Sequence, residues 1–64
     1  MDREMLERRI ENRKKEMQAH FEKAQKCMEE NDFCGARTYL QFAEEDATEI
    51  LAYEAILESM MIWG

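Results

Sequence analysis

Only one segment of this chain carries the residues of a turn. Asn31-Asp32-Phe33-Cys34-Gly35 separates two long runs of helix formers, and no proline interrupts either run. Asn31 tolerates a left-handed backbone and so ends a first helix, while Asp32 suits the cap of a second. The spacing predicts helices over about 2–30 and 33–62 around a turn at 31–35. The chain is therefore expected to be all-α, a single domain over 1–64 built as a two-helix antiparallel hairpin. With 64 residues its core is thin, because a chain this short hides only about 60% of its unfolded surface. Pairing into a four-helix bundle dimer is the expected support.

The first helix has its apolar positions at Leu6, Ile10, Met17, Phe21, Ala24 and Met28, spaced by three, four or seven. The stripe has a gap at Arg13 and Lys14, so its first three turns look weakly anchored, or anchored on something else. Glu4–Arg8, Glu11–Lys15 and Glu22–Lys26 lie four apart in the favourable order. In the second helix the expected core is Ala36, Leu40, Ala43, Ala47, Ile50, Leu57 and Met61, flanked by Tyr39, Tyr53 and Met60. Its small alanines predict close helix approach near the turn.

Residues 50–63 depart from this two-sided pattern, with apolar side chains pointing all round the helix. One neighbouring helix cannot cover them, and such a segment is normally buried by more than one partner. It fits either the centre of a homodimer or a docking surface for a different protein. The residues expected at a protein interface are Leu51, Tyr53, Ile56, Met60, Ile62 and Trp63, since aromatic and methionine side chains are typical anchors. Met28, Met60 and Met61 add adaptable apolar surface.

Charge divides unevenly. Residues 1–26 hold eight Lys or Arg against six acids, and residues 27–64 hold Arg37 alone against nine acids. A basic helix beside an acidic one suits antiparallel pairing, and the acidic excess attracts basic partners while repelling nucleic acid. The basic cluster at Arg8, Arg9, Arg13, Lys14 and Lys15 is interleaved with Glu7, Glu11 and Glu16 and has no aromatic neighbour for stacking, so it reads as a solvated helix face. Glu54 and Glu58 break up the apolar end, and no run reaches the roughly 20 residues of a membrane span. The charged N-terminus lacks an export pattern, and Cys27 and Cys34 are expected as reduced thiols in the cytoplasm.

No motif for chemistry emerges. A zinc site needs three or four converging ligands, and His20 is the only histidine, with Glu16 and Cys27 at helical spacing. It reads as a boundary histidine with its ring packed and a nitrogen exposed. Cys27, near Glu29, Glu30 and Asp32, has a raised rather than lowered expected pKa and reads as a small core residue. The acids Glu44, Glu45, Asp46 and Glu49 read as a solvated face, because carboxylate di-metal bundles rely on Glu-x-x-His pairs that this chain lacks. The expectation is a protein without enzymatic activity, cofactor or metal, acting on a protein partner or on itself.

Across Asn31 to Ala43, Asp32, Phe33, Ala36, Leu40 and Ala43 stand in the register of the second half of a tetratricopeptide repeat, and Ala24 takes the place of the small residue in the preceding helix. Over about 24 residues the chain resembles one such unit. It departs from the family at His20 and Lys23, in both helix lengths, and in having no second repeat. The resemblance implies hairpin geometry and protein binding, not a repeat array. Ile10-x-x-Arg13-x-x-x-Met17 also looks something like the first helix of short hairpins that dephosphorylate response regulators. Phe42-Ala43-Glu44-Glu45-Asp46, however, lacks the Ser, Gln and Leu of their second-helix signature.

Overall fold

In the computed structural model, which describes residues 2–63 and the side chains of 2–61, two helices carry almost the whole chain: α1 (Arg3–Glu29) and α2 (Phe33–Trp63). They pack against each other along their length as a rod 49 Å long and 14 by 13 Å across. No strand occurs among the described residues. Helix α1 starts at Asp2, whose carboxylate accepts from the Met5 amide at 2.8 Å and satisfies one of the orphan donors of the first turn.

The turn follows the chemistry of its residues. Asn31 has φ 61°, the left-handed conformation that its short polar side chain tolerates. The Asp32 amide then donates back to Cys27 O at 2.8 Å and the Asn31 amide to Met28 O at 3.1 Å, closing a Schellman motif on the end of α1. Asp32 next caps α2, its Oδ1 accepting from the Gly35 amide at 3.0 Å. Gly35 is glycine for lack of room: a Cβ there would lie 2.4 Å from Asp32 Oδ2 and 3.1 Å from Cys27 Sγ.

The seam between the helices follows a heptad rhythm. In α1 the buried and half-buried positions are Leu6, Ile10, Arg13, Met17, His20, Ala24 and Cys27; in α2 they include Ala36, Tyr39, Ala43, Asp46, Ile50, Tyr53, Leu57 and Met60. Alternating steps of three and four keep each set on one face. Buried Ala24, Ala36 and Ala43 bear out the close approach expected near the turn. The stripes read from apolar spacing are corrected at Phe21, Met28, Leu40 and Met61, all exposed. Each of these four directly follows a seam residue and so stands about 100° round its helix, on the flank of the hairpin. The gap at Arg13 is filled by a polar contact instead of an apolar one.

Candidate interaction surface

The polar contact is centred on Asp46. It is 4% exposed, a carboxylate at a position where a two-helix seam ordinarily holds a hydrophobe. Its Oδ2 lies 2.7 Å from His20 Nδ1 and its Oδ1 3.4 Å from Arg13 Nη1. His20 and Arg13 stand seven residues, or about two turns, apart on α1, and one α2 carboxylate bridges them. The Arg13 Nε also pairs with Glu49 at 2.7 Å, and its Nη1 with Glu16. Partial burial opposes the charge on Arg13, but Glu16, Glu49 and Asp46 outweigh it and raise the pKa of the guanidinium. The solvated acidic face expected from Glu44 to Glu49 is therefore corrected at Asp46, which is buried, and at Glu49, which cross-links the helices. Two signals in the sequence mark this group: Arg13 and His20 share heptad phase with Leu6 and Cys27, and Asp46 shares it with Tyr39 and Tyr53.

A histidine held by a buried carboxylate is also part of a hydrolytic triad, which needs a nucleophile on the other ring nitrogen. Here the His20 ring lies against aromatics, 5.4 Å from Phe42 and 6.4 Å from Tyr39 between centroids. Lys23 Nζ sits 5.6 Å over the Tyr39 ring on the same side. The ring is thus packed, with one nitrogen bonded, and the surroundings are those of a structural histidine. Among the described residues no three His, Cys, Asp or Glu converge on a point that would hold a metal ion.

Cys27 is half-buried and Cys34 exposed, and neither is in a disulfide. Burial, together with the charges of Asp32 and Glu30, pushes the Cys27 thiol above its ordinary value, which opposes nucleophilic use. A cleft of about 320 Å³ opens beside it between Lys23, Lys26, Glu30 and Tyr39.

The exposed apolar side chains divide between the two flanks. Phe21, Met28, Phe33, Leu40, Leu51 and Met61 fall on one flank by their heptad positions; Met5, Phe42 and Ile56 fall on the other. On the first flank a cleft of about 330 Å³ runs between the helices, lined by Met17, Phe21, Leu40 and Ala43, with Gln18 and Glu44 at its rims. Of the residues expected at an interface, Leu51 (66% exposed) and Ile56 (48%) are open to solvent on opposite flanks. Tyr53 and Met60 are half-buried in the seam. The side chains of Ile62 and Trp63 lie outside the described residues. The apolar tail thus divides among three directions, while the wider exposed stripe continues to the turn.

No protein-family model matches this chain, and neither does any curated protein or solved structure.

Proposed function

We propose that this chain is a small protein-binding hairpin without enzymatic activity, a regulator or adaptor that acts by burying exposed apolar side chains against a protein. One observation carries the reading: among the described residues, six of the nine large apolar side chains that stand exposed share one flank. Phe21 and Leu40 meet at one cleft, with Met28 and Phe33 toward the turn and Leu51 and Met61 further along the same flank, and apolar side chains gathered on one side support an interaction site. The total accessible area of 5101 Å² supports it, against about 4,300 Å² for a compact monomer of this mass. Leu51 and Met61 carry the apolar positions of this flank toward the C-terminal end of α2. The likeness to one tetratricopeptide unit agrees with protein binding, and the two free thiols fit a reducing, cytoplasmic setting.

Sedimentation equilibrium and binding of a hydrophobic dye test this together. The expected result is dye binding that falls when Leu51→Ser and Met61→Ser are introduced. A chain that is a tight dimer and binds no dye would instead be a structural four-helix bundle. A monomer that binds no dye would sink the protein-binding reading altogether. No helix among the described residues is long and apolar enough to cross a membrane.

A further inference from the structure

The flank that carries the stripe also carries most of the net negative charge. By heptad position it holds the acids Glu4, Glu7, Glu11, Glu44, Glu54 and Glu58 against only Lys14 and Arg37. Glu4 and Glu7 are engaged by Arg8 and Arg3, while Glu11, Glu44, Glu54 and Glu58 border the stripe. The other flank is closer to balance, its Arg9, Lys23 and Lys26 set against Asp2, Glu16, Glu30, Glu45 and Glu49. The apolar stripe and the net negative charge of the chain therefore coincide on one side.

From this coincidence we infer that the flank seats a basic amphipathic helix of a partner protein, lying in the cleft between Phe21 and Leu40 and completing a three-helix bundle. This rests on the protein-binding reading and specifies its partner. The shape fits a helix: the cleft runs between two helices, and a third can settle its apolar ridge there at the usual 8–10 Å separation. Its length fits as well. From Leu40 to Glu58 the cleft, Leu51 and the bordering acids extend about 27 Å at 1.5 Å per residue, which matches a partner helix of about 18 residues. The charge decides between occupants. A second copy docked face to face through this flank sets the four carboxylates that border the stripe against four others, with Lys14 and Arg37 on each side to offset them. A lysine- or arginine-bordered helix places cations beside Glu11, Glu44, Glu54 and Glu58 while its apolar face covers Phe21, Leu40 and Leu51.

The test titrates the full-length chain with a synthetic amphipathic helix of about 18 residues, leucines on one stripe and lysines elsewhere. A glutamate-for-lysine version serves as the contrast. The lysine peptide is expected to bind one to one, to weaken as salt rises, and to exceed the glutamate peptide. Phe21→Ser with Leu40→Ser is expected to weaken binding about tenfold or more, and Phe42→Ser with Ile56→Ser on the other flank by less than about twofold. Circular dichroism checks that each variant keeps its helices. Should Phe21→Ser with Leu40→Ser unfold the chain, Glu44→Lys with Glu58→Lys takes its place and must also weaken binding.

Equal binding of both peptides, or equal loss from either flank, overturns the inference. So does a chain that dimerises through this flank, as shown by dimer loss in Phe21→Ser; in that case the protein-binding reading stands and the partner is a second copy. Failure to bind peptide, copy or dye defeats both.

Discussion

Asp46 Oδ2 lies 2.7 Å from His20 Nδ1, joining α2 to α1 by a hydrogen bond that is largely shut off from water. Because a carboxylate only accepts, His20 Nδ1 donates, and the ring stacks on Tyr39 at 24° between planes and lies tilted against Phe42 at 52°. With Arg13 on the second oxygen, Asp46 fixes the axial position of α2 against α1: slipping by one turn would leave a carboxylate in the seam without partners. Alanine-rich layers near the turn have few shape cues of their own to prevent such a slip. A buried polar group that sets register is the best-attested role for such an interaction.

Replacing Asp46 by Ala is accordingly expected to lower stability by about 1–3 kcal/mol, the range for unpairing a largely buried hydrogen-bonded group. Thermal unfolding followed by circular dichroism at 222 nm reads this directly. The joint change Arg13→Leu, His20→Leu and Asp46→Leu should do the opposite and raise the melting temperature, since an apolar seam needs no desolvated charge. It should also broaden the population of helix registers, seen as extra amide peaks in NMR spectra. A triple variant that is less stable than the single one would show that the polar group is there for strength and not for register.

The turn supplies a prediction of opposite signs at one residue. Asn31 stands at φ 61°, so Asn31→Gly is expected to be neutral or slightly stabilising, while Asn31→Val should cost about 1–2 kcal/mol because a β-branched side chain is strained in the left-handed region. Urea titration of the two variants measures the difference. Equal stabilities would mean that the Schellman bonds from Asn31 and Asp32 are not formed in solution.

Gly35 lies within α2, where Gly→Ala ordinarily adds up to about 1 kcal/mol. Here the new methyl would fall 2.4 Å from Asp32 Oδ2 and displace the carboxylate that caps the helix. Losing that cap costs about 1 kcal/mol, and crowding against Cys27 Sγ adds to it. Gly35→Ala should therefore leave the protein no more stable than before, and by urea titration slightly less so. A gain of the ordinary size would show that Asp32 can cap from a different rotamer.

Helix ends, turn and fold class were legible in the sequence because each is decided by a few adjacent residues. Asp2 and Asp32 accept from amides three positions on, and Asn31 needs only its own backbone. The seam was legible at Leu6, Ile10, Ala24 and Ile50, where the apolar positions coincide with it. It was displaced by one residue at Phe21, where apolar spacing passes over His20, and at Met28, Leu40 and Met61, where Cys27, Tyr39 and Met60 stand beside an equally apolar neighbour and spacing alone does not choose between them. Arg13, His20 and Asp46 depend on each other for burial across the hairpin. Periodicity within a single helix holds no information about a charge opposite, so the pairing of residues 13, 20 and 46 only shows in three dimensions. The same displacement explains the exposed stripe, in which residues spaced like a core lie one position beside it.

Cys27 gives the clearest dependence on pH. Burial first, then the negative charges of Asp32 and Glu30, raise its pKa above the ordinary 9.0 in the folded chain. The folded state thus holds the thiol proton more tightly than the unfolded state does. That contribution to stability is complete below pH 9.0 and is lost as pH rises through the higher folded value. In a Cys34→Ser background, which leaves one thiol, alkylation by iodoacetamide at pH 8.5 should be several-fold slower in the native protein than in urea. The rate in native protein should reach its midpoint above pH 9.0. Asp32→Asn separates charge from burial, because asparagine caps a helix about as well as aspartate and carries no charge. With the cap kept, the midpoint should move down part of the way; an unchanged midpoint would assign the shift to burial and Glu30, and native rates equal to those in urea would mean the thiol is not shielded at all.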